Sequence, residues 1–177
     1  MKNAPHPYSE LYKAYRFDEP WDGPHNAQLA GRIGDYYRRR GLDPAESPQT
    51  SFVAVVGPET AWSGAEARSK QDIRDGAGQT ILVVEMADAG IPWMKPEDLH
   101  FDRMSFGVND GSGRGPGSPI SGARALLGTG HVIELPDRLS PATLRAMLTI
   151  DGGEPVAADP RSIGAKVIDA PPPAPSR

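Results

Sequence analysis

The chain has 177 residues, 38% of them apolar, and a formal net charge of −4. That length supports one domain with a real core, and the slightly acidic balance leaves no electrostatic footprint for nucleic acid. With no cysteine there are no disulfides or thiolate metal sites, and the longest apolar runs, 52–56 and 81–84, fall far short of the ~20 residues of a membrane span.

Residues 1–7 hold two prolines and no apolar anchor, so they read as a disordered N-terminus with no signal-peptide core. Residues 8–17 place Leu11, Tyr12 and Tyr15 at helical spacing. That helix stops before Pro20, because the residue preceding a proline avoids the helical region. The segment 17–26, F-D-E-P-W-D-G-P-H-N, is too proline-rich for a helix interior. It reads as an ordered turn, with Asp22-Gly23 at the bend and Trp21 plugging the core edge. Residues 26–40 predict a helix with Leu29, Ile33, Tyr36 and Tyr37 on one face. Asn26 is its expected N-cap and Gly41 its C′ residue. The Arg38–Arg40 triplet suits the negative end of the helix dipole.

A linker, 42–49, leads to a strand at 51–56 that Gly57-Pro58 stops. Residues 59–70 are a loop holding Trp62. The stretch 72–99 organises the rest. A polar turn at Asp75-Gly76 feeds the apolar run 81–84, which predicts a central strand over about 80–87. Trp93, between that strand and a proline turn, is expected to bury its ring. Residues 101–108 add a short strand. The run 109–119, N-D-G-S-G-R-G-P-G-S-P, is glycine-rich, but Pro116 and Pro119 argue against the helix that a phosphate loop must open. A mobile surface loop is expected. Residues 123–127 and 131–135 flank Gly128-Thr129-Gly130 and predict a β-hairpin. Ser140 caps a final helix with Pro141 at its first position, ending near Thr149. Leu144, Met147 and Leu148 form its buried stripe. A Pro/Ala-rich disordered tail, 158–177, follows the folded part at 8–157.

No catalytic motif is present: there is no G-x-S-x-G, H-E-x-x-H or G-x-x-x-x-G-K-[ST]. The four histidines are scattered, and His131 reads as a structural residue of the hairpin. The chain is therefore read as a non-enzyme with no cofactor, calcium being the single candidate. Hard carboxylate oxygens on loops suit calcium, and Asp18, Asp22, Asp72 and Asp75 are the candidate ligands. The twelve-residue calcium loop is absent, and turn-forming or solvated roles account for the same residues. An acid/base pair among these carboxylates ranks lower, because nothing fixes their separation.

Four stretches carry a family resemblance: F-D-E-P-W-D-G-P-H-N at 17–26, S-F-V-A-V-V-G at 51–57, 73–85 with 92–99, and L-R-A-M-L-T-I-D-G-G-E at 144–154. In order and spacing they resemble a bacterial prepilin-type, pseudopilin-like family that bears a domain-of-unknown-function label and a C-terminal His…Asp-Gly signature. The resemblance implies an α+β fold with an antiparallel sheet packed with helices, like the heads of type II secretion pseudopilins and type IV pilins. It implies a structural or surface-display role, and as partners other pilin-like subunits or secretion-machinery proteins. It also implies an inner-membrane-anchored or extracytoplasmic location. The calcium-binding heads of major pseudopilins share a similar Asp-Pro-Trp turn. The alternative class is a soluble ligand- or calcium-binding domain derived from that family.

This sequence departs from the pattern in two places. The prepilin leader and hydrophobic helix do not precede residue 8, so the chain as written is expected to stay in the cytoplasm without membrane contact. Codons upstream of Met1 are expected to encode the missing segment. Gly128-Thr129-Gly130 replaces the usual Asp-Gly hairpin, and Ser118-Pro119-Ile120 stand where the histidine belongs.

Overall fold

A computed structural model describes residues 7–32, 48–87 and 89–154. The expectations for 1–6, for the second half of the 26–40 helix with Gly41, and for the tail lie outside these residues. The described chain forms two compact units, one holding 7–32, 48–51 and 89–97, the other 52–87 and 98–154.

The N-terminal unit opens with α1 (Pro7–Ala14). Its exposed Lys13 pairs with Glu10 one turn earlier at 2.9 Å, a spacing that brings side chains together on a helix. The turns at 17–25 then lead into a 3-10 helix, Asn26–Arg32. Over the described residues this corrects the expected α-helix. Asn26 does not cap it. Its side chain turns back to the Arg16, Glu19 and Pro20 backbone, and Gln28 N–H bonds to His25 three residues back. Residues 89–97 join the unit through an antiparallel bridge between Gln49 and Pro92. Trp93 is partly buried, in line with the largely buried ring expected, and its indole Nε1 donates to Ala30 O at 2.8 Å.

The second unit is an α+β sheet domain. Its strands are β1 (Phe52–Val56), β2 (Ile81–Glu85), β3 (Leu99–His100), β4 (Ala123–Leu127) and β5 (Val132–Leu135), in the order β3-β1-β2-β4-β5. β2 lies centrally, as its β-branched run requires. It pairs antiparallel with β1 (Val53 opposite Val84) and with β4 (Val84 opposite Ala125). The sheet is mixed rather than wholly antiparallel, which corrects the expectation. β3 runs parallel to β1, Val55 opposite Leu99. A tight hairpin forces antiparallel pairing, whereas the long connection 86–98 returns the chain to the other side of β1 in the same direction.

The short strand expected at 101–108 is also corrected. Pairing with β1 ends at Phe101 N–H to Val56 O, and Met104 N–H then bonds to His100 O. Phe101, Met104 and Val108 are buried at spacings of three and four, the period of a coiled turn and not of a strand.

The β4–β5 hairpin forms as expected, with Ala125 opposite Ile133 and Gly130 in the left-handed region. α2 (Pro141–Leu148) has Ser140 as its N-cap, accepting from Thr143 N. Leu144, Met147 and Leu148 are wholly buried and complete the core with Val55, Val84 and Leu127. β4 and β5 alternate buried and exposed positions, so one face of the sheet enters this core. The opposite face carries a row that crosses the sheet through Ala54, Val83, Leu126 and Val132. Its members are half-buried, except Val132, which is 44% exposed.

Candidate functional site

The loop between β1 and β2 folds against the end of α2. Thr60 is buried and bridges to Thr149, and Ile150 N–H bonds to Glu59 O at 3.1 Å. Asp75 makes the firmest tie. Its N–H donates to Ile150 O, and its two carboxylate oxygens accept from Gly152 N at 2.7 Å and Gly153 N at 2.8 Å. Gly153 has φ +73°, which a residue with a Cβ adopts only under strain. Asp75→Ala removes these two bonds, whose amides water can then solvate, and is expected to cost about 1 kcal/mol. Urea unfolding followed through Trp62 fluorescence measures it, and a midpoint equal to wild type contradicts the tie.

Asp72 reaches back to Ser69, accepting from its N–H at 2.6 Å and its hydroxyl at 2.8 Å. The Ser69 amide bond, then its hydroxyl, hold the Asp72 carboxyl below its ordinary value. Asp18 and Asp22 are exposed in the turns of the N-terminal unit. The four candidate calcium ligands are therefore divided between the units, and Asp72 and Asp75 both accept from protein donors. Among the described residues no group of three or more His, Asp or Glu stands where it could hold a metal ion.

A cleft of about 490 Å³ lies between this loop and the segment 145–154. Arg68 Nη2 donates to Pro58 O at 2.6 Å. Arg74 pairs with Asp151 at 2.6 Å and Arg145 with Glu59 at 3.4 Å. The Arg145 guanidinium lies 4.7 Å from the Phe101 ring centre and 5.2 Å from that of Phe106, within cation–π range of both.

The glycine-rich loop, expected to be a mobile surface loop, is tied down at several points: Gly117 N–H bonds to Glu85 O, Ala87 N–H to Gly117 O and Ser105 N–H to Arg114 O. Asn109 sits in the left-handed region at φ +52°. Its Nδ2 donates to Gly122 O and to Asp137, its Oδ1 accepts from Ser118 N, and its N–H bonds to Pro116 O. Asp110 accepts from the Ser105 hydroxyl and from Ser112 N; the Ser105 hydroxyl, then Ser112, lower its pKa. The Ser112 and Ser118 amides thus bond to side chains of the loop itself instead of converging on an anion site. His131 is exposed, with Nδ1 2.9 Å from Thr129 Oγ1.

The polar side chains of the 17–26 segment behave in the same way. Asn26 is wholly buried and accepts from Arg16 N while donating to three carbonyls. Glu19 accepts from His25 N and Asn26 N. Glu85, buried in β2, accepts from Arg124 N. Every buried side-chain polar atom among the described residues has a hydrogen-bond partner. The sequence pointed to the aspartates but not to Asn109 or the cleft arginines, whose partners lie far along the chain.

Fold and site together define a small α+β protein built on a five-stranded mixed sheet, with a charged cleft at the end of its last helix. No family model, no curated protein and no solved structure matches the chain. No helix among the described residues is long and apolar enough to cross a membrane.

Proposed function

We propose that this chain is a non-catalytic head domain of a pilin-like subunit, working in a structural or surface-display role outside the cytoplasm. The family resemblance of the four stretches suggests it. The observation that carries it is the second face of the sheet, where Ala54, Val83, Leu126 and Val132 form an apolar row of half-buried and exposed side chains. A long hydrophobic helix must bury its stripe against another element, and an apolar sheet face is what a head offers it. The polar residues of the same stretches serve the backbone: Asn26, Glu19, Asp75 and Glu85 all bond to main-chain groups. That is the pattern of residues selected for shape. Val132→Asp tests the reading. The isolated domain is expected to keep its melting temperature, while the variant subunit disappears from the assembled fraction of cells that make it. Normal assembly of Val132→Asp overturns the proposal.

The second reading, a soluble ligand- or calcium-binding domain, is favoured by the charged cleft and its neighbouring aspartates. Calcium tests the metal arm of this reading and leaves the head reading open, since the heads that the chain resembles bind calcium too. An unchanged melting temperature at millimolar calcium removes that arm. Specific binding at about 100 times the dissociation constant adds about 2.7 kcal/mol and raises it, with magnesium less effective.

A further inference from the structure

We propose that the cleft between the β1–β2 loop and the end of α2 binds a neutral carbohydrate. The assignment rests on the kind of groups that line it and on how they are held. Three guanidiniums reach it from the two segments that form it, Arg68 and Arg74 from the loop and Arg145 from α2. Four carboxylates line it as well, two of which, Glu59 and Asp151, pair directly with arginines. Three positive groups against four negative ones leave the cleft close to neutral, with no strong attraction for an anion. It presents donors beside acceptors instead, which is what the vicinal hydroxyls of a pyranose require, since each hydroxyl both donates and accepts.

Each donor has an anchor within the protein. Arg145 lies over the Phe101 and Phe106 rings. Arg68 is anchored by Pro58 O and Arg74 by Asp151. A guanidinium has five N–H donors, and among the described residues each of these anchors occupies only part of that set. The volume of about 490 Å³ falls within the ordinary range of small-ligand sites. The pairs cost little to rearrange, because Arg74 is 72% and Asp151 57% exposed, and pairs of that exposure contribute at most about 1 kcal/mol.

The test is a ¹H–¹⁵N NMR titration of the chain with cellobiose, maltose, lactose and chitobiose. At least one is expected to shift the amides of Ile150 and Gly152 and the Arg74 side chain saturably, with a dissociation constant on the order of 1 mM. Arg74→Ala is expected to weaken that binding at least tenfold while leaving the melting temperature unchanged. Arg114→Ala, in the glycine-rich loop, leaves binding as it was. Three results overturn the assignment: no localised shift with any of the four sugars, shifts that survive Arg74→Ala, or tighter binding of inorganic phosphate or a glutamate-rich peptide at the same residues. None of these bears on the sheet face, so the head-domain reading stands or falls separately.

Discussion

Replacing Asn26 with alanine is expected to destabilise the N-terminal unit by about 3–4 kcal/mol. The side chain is wholly buried. Its amide nitrogen donates to Arg16 O, Glu19 O and Pro20 O at 2.8–3.1 Å, and its oxygen accepts from Arg16 N at 3.0 Å. Alanine fills neither the volume nor the bonds, and each orphaned buried group costs about 1–3 kcal/mol. Asn26→Asp is the sharper variant. It keeps the shape and the acceptor, but sets a second oxygen against three carbonyls. It is therefore expected to be as damaging as alanine. Urea unfolding read through the indole signals of Trp21 and Trp93, both in this unit, measures the loss. A midpoint for Asn26→Asp close to wild type would mean that shape alone holds the turn together.

Leu144→Ala carries the second large effect, a loss of about 3 kcal/mol or more from the sheet unit. Leu144 is wholly buried in α2, beside Met147 and Leu148, which are equally buried. α2 packs on β2, so the stripe covers the central strand and has no solvent to relax into. Truncation removes transfer free energy and leaves a cavity that close-packed neighbours fill only in part. Denaturant unfolding followed by far-UV circular dichroism measures the change. A loss below about 1 kcal/mol, the cost of a tolerated core swap, would place the helix at the edge of the core.

Those two residues mark what was legible in the sequence. Leu144 belonged to a local pattern: Ser140 and Pro141 marked the start of a helix, and the spacing of Leu144, Met147 and Leu148 marked its buried face. The β4–β5 hairpin was legible for the same reason, since a glycine turn between two apolar runs needs no distant partner. Asn26 was not. As a cap it would serve residues just ahead; its bonds run back to Arg16, ten residues earlier. The parallel pairing of β3 was hidden because direction is set by the route of 86–98, not by Leu99 and His100 themselves. In the site, Asp75 was visible as a turn residue, yet its partners Gly152 and Gly153 lie 77 and 78 positions away. Arg74 and Arg145 carried no signal in the sequence, because only tertiary folding brings Asp151, Glu59 and the two phenylalanine rings beside them.

The central claim, that the chain is the head of an assembled pilin-like subunit, is tested most directly by locating it. Intact cells that make the protein are sheared, and the released surface material, membranes and cytosol are probed with an antibody raised against residues 48–154. The account predicts the chain in the sheared and membrane fractions, and labelling of unpermeabilised cells. Recovery of all the protein from the cytosol, with no surface label, would contradict it.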